Sequence, residues 1–436
     1  MNKTIWVFNQ FAGHPDSGWG ERHYYFARYW IQQGYRVVIF SGSFNHMFRN
    51  LPEINGNLTT QMVDGVEFCW VKVPNYHPQS VLRFWSMLVF AWKTLWLKTS
   101  VYGTPAAILV SSMPIFPILS ALIKRLFLKN TKVVFEIRDI WPLSLQYLAN
   151  VSAYHPAVIF IGWFEKIGYR RSDVVVSLLP NAREHIEEIA KKTVNFHYIP
   201  NGIEEALLSD EALESNIIEQ IPKDKFIIGY TGTMALANAL ESFVETAHLL
   251  KDQVGIHFVL VGDGYLKTKL QELASGFSNV TLIPKIRKNQ VQSILKHFDI
   301  CFVGRNDSPL FKHGVSANKY FDYMLAGKPV LDANNLIKDP VELSGCGIIV
   351  KPESAEALAE GLLKLYNMPK DDLRKMGALG KKYVQEHHSL QHLAGQYLTI
   401  LTCPTTHIPP PSSTPAPKSA KVPASGIFAT SLPAQF

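Results

Sequence analysis

GRNDSPLFKHGVSANKYFDYMLAGKPVL, residues 304–331, carries the strongest signal in the chain. It reads as the end of a strand, a polar glycine-containing loop, a helix over 316–326 and a Gly-Lys-Pro turn into a strand at 328–331. Lys319 and Asp322 fall three residues apart, on one face of that helix. A cation and a carboxylate at the mouth of a parallel sheet suit a nucleoside diphosphate. The cation faces the phosphates, and the carboxylate accepts hydrogen bonds from the ribose hydroxyls. An exposed helical ion pair has the same spacing and contributes little. Gly314, Ser316 and Asn318 at the helix start favour the ligand reading, because each suits hydrogen bonding at an N-terminus.

Short β-rich runs alternate with helical periods on both sides of this segment. Strands are expected at 4–8, 36–40, 66–73, 107–111, 132–137, 173–177 and 195–199, with helices between most of them. Pro200-Asn201-Gly202 is a strong turn signal. An acidic stretch over 204–223 follows, and the alternation then restarts, with strands at 225–230, 256–261, 280–283, 299–303, 328–331 and 347–350. Such βαβ alternation predicts an α/β protein of two Rossmann-like, doubly wound domains. Ligands in such sheets lie beyond the carboxyl ends of the strands, so the cleft between the domains is the expected site. The domains are expected at 1–200 and 201–388, with a final helix at 389–402. Residues 403–436, rich in Pro, Ser, Thr and Ala, read as a disordered tail.

The chain has 436 residues, 47% hydrophobic and 18% charged, enough apolar material for two or three domains. A net charge of +7 suits anionic partners such as nucleotides, phospholipid surfaces or diphosphate lipids. No Lys/Arg-dense block occurs, which disfavours nucleic acid. Cys69, Cys301, Cys346 and Cys403 are scattered without metal-ligand spacing and fit a reducing compartment. The N-terminus shows no signal-peptide pattern, so the cytoplasm is expected. No apolar run reaches about 18 residues, and the nearest, 81–97, is broken by Arg83 and Lys93.

Further loops have the composition of a site. Asn9 to Arg22 is long for a βα loop and contains His14, Trp19 and two glycines, Gly18 and Gly20, that would let backbone approach a ligand. Glu136, Arg138 and Asp139 cluster at a strand's carboxyl end, where a buried ion pair is the plain alternative. The turns Tyr230-Thr231-Gly232-Thr233 and Val261-Gly262-Asp263-Gly264 could face a diphosphate and a ribose or base, although such turns are common. Templates for phosphate-loop hydrolysis, dinucleotide binding, zinc proteolysis and the serine elbow are absent.

Together these motifs resemble the retaining glycosyltransferases of the GT-B fold, family four. They lie closest to the bacterial branch that builds surface polysaccharides, including N-acetyl-fucosamine transferases of O-antigen synthesis. The resemblance covers residues 4–400. It rests on Gly18 to Arg22, Arg138 to Pro142, Ile199 to Gly202, Tyr230 to Thr233, Val261 to Gly264 and Gly314 to Val330. It implies a second domain that binds a UDP-sugar, a first domain that binds the acceptor, a last helix crossing back to the first domain, retention of configuration and no metal. On that pattern Asp322, Lys319, Arg305, Gly232, Thr233, Gly262, Asp263, Gly264, Ser316, Asn318 and His313 would bind the donor. His14, Gly18, Trp19, Gly20 and Arg22 would bind the acceptor, and Asp139, Arg138 and Lys319 would form the catalytic set.

The family has two glutamates eight positions apart. Here the second is Asp322 and the first is Gly314. The usual Arg and Lys after the first strand of the second domain are missing, so Lys319 and Arg305 are expected to neutralise the diphosphate. The implied acceptor is a glycan on polyprenyl diphosphate. Phe84, Trp85, Leu88, Trp92, Leu95 and Trp96 recur at helical spacing beside Arg83, Lys93 and Lys98, which suits docking on the inner face of the cell membrane through residues 81–98. The same helix could instead be buried against the first sheet. Two other functions fit the architecture: a non-hydrolysing UDP-sugar epimerase and a non-catalytic glycan-binding subunit.

Overall fold

The computed structural model describes residues 3–77, 80–112, 114–203, 211–337 and 339–403. The expected tail lies outside the described residues, save Cys403.

The first sheet contains β1 (Thr4–Phe8), β2 (Arg36–Gly42), β3 (Leu58–Val63), β4 (Val66–Val71), β5 (Ala107–Ser111), β6 (Lys132–Ile137), β7 (Val174–Ser177) and β8 (Phe196–Tyr198), in the order β3-β4-β2-β1-β5-β6-β7-β8. All neighbours are parallel except β3 and β4. The continuous apolar runs are explained by burial on both faces. Trp6 and Phe8 of β1 enter one core, and Ile5 and Val7 enter the other.

The second sheet contains β9 (Phe226–Thr233), β10 (Ile256–Asp263), β11 (Val280–Ile283), β12 (Ile300–Gly304), β13 (Val330–Ala333) and β14 (Gly347–Val350), all parallel, in the order β11-β10-β9-β12-β13-β14. Strands β9 and β10 run farther than the sequence suggests. Gly262 and Gly264 let the two chains pair past the sheet edge: an added Cβ would lie 1.9 Å from the Gly232 oxygen and 2.2 Å from the Met234 oxygen.

Strand β3 is not anticipated by the sequence reading. It is a polar edge strand, mostly exposed, held by an Asp64-Gly65 turn in which both residues have positive φ, the arrangement that two-residue hairpins favour.

The Leu390–Thr402 helix crosses back and packs on the Arg22–Gln32 helix of the first domain. Trp30 donates to the Ala394 carbonyl at 2.9 Å, and the rings of Phe26 and Trp30 meet Tyr397 edge-on. All three aromatics are fully buried. At about 1.5–3 kcal/mol for each large apolar side chain buried, this clasp is a substantial tie between the ends of the chain.

Among the described residues no helix is long and apolar enough to cross a membrane. The Val81–Leu95 helix turns Met87, Phe90 and Ala91 inward and leaves Val81, Leu82, Trp85 and Trp92 exposed, as is the adjacent Trp96. The core therefore takes one face of this helix only.

Candidate functional site: the interdomain cleft

A cleft of about 370 Å³ separates the domains. One wall is the loop from Gly18 to Arg22 together with Arg138, the floor is Asn201 to Ile203, and the other wall is Lys288, Asn318, Phe321 and Asp322. Of the expected site residues, Gly18, Trp19, Gly20, Arg22, Arg138, Asn318 and Asp322 converge here from distant positions. The loop geometry demands glycine at residue 20, which has φ +80°, and an added Cβ would lie 2.1 Å from the Phe11 oxygen. Trp19 is left 46% exposed at the rim.

Arg22 differs from the expected acceptor role. It is buried, and its guanidinium is engaged in the fold. Nε donates to Glu136 at 3.1 Å, Nη1 donates to the Pro200 carbonyl at 2.6 Å and Nη2 donates to the Ile199 carbonyl at 2.8 Å. Burial alone would raise the Glu136 carboxyl, but His23 and Arg22 outweigh it and hold Glu136 well below the usual carboxylate range. Tyr397 adds a hydrogen bond to Glu136 at 3.1 Å. This cluster fixes the crossing point between the domains. Ser316 also differs, because it serves the same crossing. Its hydroxyl accepts from the Asn201 amide at 2.8 Å, and its carbonyl accepts from the Asn201 side chain at 2.7 Å.

The Asn318–Leu325 helix presents Lys319 and Asp322 to different surroundings. Lys319 Nζ donates to Tyr230 Oη at 3.0 Å and to Asn238 Oδ1 at 2.8 Å, and lies 4.3 Å from the Tyr230 ring centre. Gly232 adjoins it closely enough that an added Cβ would sit 3.6 Å from Nζ. Among the described residues no carboxylate pairs with Lys319. Burial, with Arg305 second, lowers its pKa well below the ordinary lysine value, against the opposing field of the buried Asp332. This leaves a partly buried cation beside Gly232 at the carboxyl end of β9. Asp322 faces the cleft, where burial raises its carboxyl to about 6 against the opposing field of Lys288.

Other expected residues lie elsewhere. His14 is buried against Phe68 and Trp70 and lines a separate depression with Asp16 and Asn50. Arg305 lines a small cavity of about 140 Å³ with Asn306, Phe311 and Asn334, close enough to Lys319 for its charge to act there. His313 faces the first domain, its ring 5.1 Å from that of His185 and its carbonyl accepting from the Asn181 amide at 3.0 Å. Burial, followed by His185 and Lys312, lowers its pKa to about 4. Gly314 has φ +90°, and an added Cβ would lie 2.5 Å from Pro180 Cδ. The close domain contact therefore accounts for glycine there. The Asp263 side chain caps the Gly264 amide at 2.9 Å and lies 3.6 Å from Lys267, and Thr233 accepts through its carbonyl from Tyr230 and Asn238. Asp139 is exposed beside Arg138, and desolvation by the surrounding protein raises its carboxyl against the field of Arg138.

Glu21 and Lys288 are among the cleft residues that were not anticipated. Lys288 belongs to the basic run Lys285, Arg287, Lys288 after β11, and charges just beyond a strand's carboxyl end were a usable signal.

Two parallel-sheet domains facing a cleft, joined by a returning terminal helix, define a GT-B fold. The comparisons agree. Residues 225–368 match the family described as Glycosyl transferases group 1, which places a domain of that kind in the second half of the chain. The chain is 23% identical over 247 residues to WcaI of Escherichia coli (strain K12), named for a glycosyl transferase role in colanic acid biosynthesis. That match spans 54% of this chain and 58% of WcaI, so it covers little more than half of the curated relative. Sucrose-phosphate synthase from Thermosynechococcus elongatus superposes with a TM-score of 0.67 at 16% identity, over 91% of this chain and 98% of that one. An E. coli trehalose-6-phosphate protein bound with UDP-2-fluoro glucose gives 0.69 at 10% identity, over 92% and 99%. HepE of Anabaena, in complex with UDP and glucose, gives 0.61 at 11% identity, over 92% and 99%.

Proposed function

We propose that this protein is a retaining glycosyltransferase. It moves a sugar, of the N-acetylamino type, from a UDP-sugar to a lipid-linked or growing surface polysaccharide. The reading takes no metal, and it sets the enzyme at the inner face of the cell membrane with the exposed tryptophans of the Val81–Leu95 helix toward the lipid.

The observation that carries it is Lys319, a partly buried cation that no carboxylate among the described residues pairs with, beside Gly232 at the end of β9. Such a charge is costly unless an anion completes it, and a diphosphate at the carboxyl end of β9 would do so. Asp322, on the cleft side of the same helix, is the ribose acceptor. The group 1 match over the second domain and the UDP-bound neighbours of the same fold support this assignment.

In the transfer, the bond from sugar C1 to the diphosphate oxygen breaks and a bond from the acceptor oxygen to C1 forms on the same face. The acceptor proton passes to the departing phosphate oxygen. The chain's part is positioning and charge stabilisation: Lys319 meets the charge that develops on the leaving diphosphate, while Arg138 and Asp139 hold the acceptor end at the opposite wall. The test is UDP release from a panel of UDP-sugars with a membrane extract as acceptor. Acceptor-dependent release supports the reading. Epimer formed without acceptor, or nucleotide bound without turnover, would refute it.

A further inference from the structure

The Pro156–Arg171 helix buries Val158, Ile161, Phe164 and Gly168 against the first sheet's domain. Its opposite side carries Ile159, Phe160 and Trp163, which are 61%, 42% and 52% exposed. With Pro156 these side chains line a shallow trough that contains no polar residue. Core packing does not account for it, because the inward face is already complete, and contiguous exposed apolar surface marks a binding site.

Resting on the glycosyltransferase reading above, we propose that this trough seats the apolar chain of the acceptor, a long uncharged hydrocarbon ending in phosphate or diphosphate. Its position supports this. Gly162, on the same helix, faces Pro142, and an added Cβ would meet Cγ at 3.8 Å, an ordinary contact. The trough thus begins beside the loop that carries Arg138 into the cleft. On this proposal a chain lying along Trp163 and Ile159 directs its anionic end toward that loop.

Charge separates this surface from the neighbouring one. No Lys, Arg, Asp or Glu occurs from Ile140 to Phe164. The Val81–Leu95 helix, by contrast, carries Arg83 and Lys93 and is followed by Lys98, and no Asp or Glu occurs between Glu67 and Glu136. Basic residues around exposed tryptophans suit anionic headgroups, whereas a surface without charge suits a hydrocarbon. The two meet where the rings of Phe84 and Phe160 approach to 6.2 Å, so a lipid drawn from the bilayer at the first helix leads along the second toward the cleft.

The test uses the full chain and farnesyl diphosphate as probe, with binding read by calorimetry, so no turnover is needed. The Ile159→Ser/Trp163→Ser double variant changes exposed side chains only. It should bind farnesyl diphosphate at least about tenfold more weakly, while its affinity for UDP and for inorganic diphosphate and its flotation with anionic vesicles stay unchanged. Unchanged farnesyl diphosphate affinity overturns the proposal, as does a native chain that does not bind the probe. A loss confined to vesicle flotation assigns the trough to the bilayer and also overturns it. So does a native dimer that the double variant dissociates without change in probe binding, which assigns the trough to a second copy. Failure of the glycosyltransferase reading would appear separately, as absent UDP binding or absent UDP release.

Discussion

Lys288 Nζ lies 2.6 Å from Glu21 Oε2, which joins the second domain to the first across the mouth of the cleft. The Lys288 side chain is 72% exposed and that of Glu21 is 10% exposed, so water screens the pair and its effect on stability is small. Glu21→Gln should change unfolding free energy by less than about 1 kcal/mol, measured by chemical denaturation. The domains should separate more readily without the contact, giving a larger radius of gyration by small-angle scattering at low salt. An unchanged radius would show that the crossing point alone sets the domain angle.

Lys319 has the opposite balance. It is partly buried, hydrogen-bonded to two neutral groups, and desolvation disfavours its charge. Lys319→Met should therefore leave thermal stability equal or higher while weakening UDP binding at least about tenfold, near 1.4 kcal/mol. Calorimetry and a melting curve on the same preparation check both halves. A variant that loses stability and keeps UDP affinity would make Lys319 structural.

Both sheets were legible from their apolar runs, because strands buried on two faces leave a signal that needs no partner. The edge strand β3 was not, since its side chains are polar and its pairing depends on β4. The site divides the same way. Asp322 and Asn318 reach the cleft as their helix register requires, and the loop glycines do so because positive φ is written in the residue type. The structural bonds of Arg22 were not legible because its partners, Glu136 and the Ile199 and Pro200 carbonyls, lie over a hundred positions away in sequence. The surroundings of His313 and Gly314 were not legible because domain contact, invisible in a local window, sets them against His185 and Pro180.

Glycine at residue 20 combines two constraints that substitution can separate. Gly20 and Gly56 both have positive φ, +80° and +95°, but only Gly20 has backbone within reach of a new Cβ, whereas nothing lies within 4 Å at Gly56. Gly56→Ala should cost about 1 kcal/mol, the conformational strain alone. Gly20→Ala should cost more than about 2 kcal/mol and displace Trp19 at the cleft rim. Denaturation curves give the energies, and Trp19 fluorescence reports the loop. Equal costs at the two positions would mean the loop yields freely.

The tryptophans of the Val81–Leu95 helix make a salt-dependent prediction. The native chain should float with anionic vesicles at low salt and less so as salt screens Arg83, Lys93 and Lys98. Trp85→Ser/Trp92→Ser should abolish flotation without lowering the melting temperature, because both residues are more than half exposed. No flotation of the native chain at low salt would refute membrane docking by this face.

Asp322 should make donor binding depend on pH near 6. Burial raises its carboxyl to about 6 and Lys288 opposes the rise. Above that value the carboxylate accepts hydrogen bonds from the ribose; below it, the neutral acid has lost that charge. UDP affinity should fall as pH drops from 7.5 to 5, approaching about tenfold per unit below the midpoint. Lys288→Met removes the opposing cation, so the midpoint should move up. Asp322→Asn should flatten the profile at the low-pH affinity. The effect on stability has a definite sign as well. A carboxyl whose folded value exceeds its unfolded value holds its proton more tightly in the fold, so ionisation is a penalty that grows as pH rises from the unfolded value to the folded one. Asp322→Asn should therefore raise the melting temperature at pH 7.5 and change it little at pH 4. Retention of the native binding profile by Asp322→Asn would place the titrating group elsewhere in the cleft.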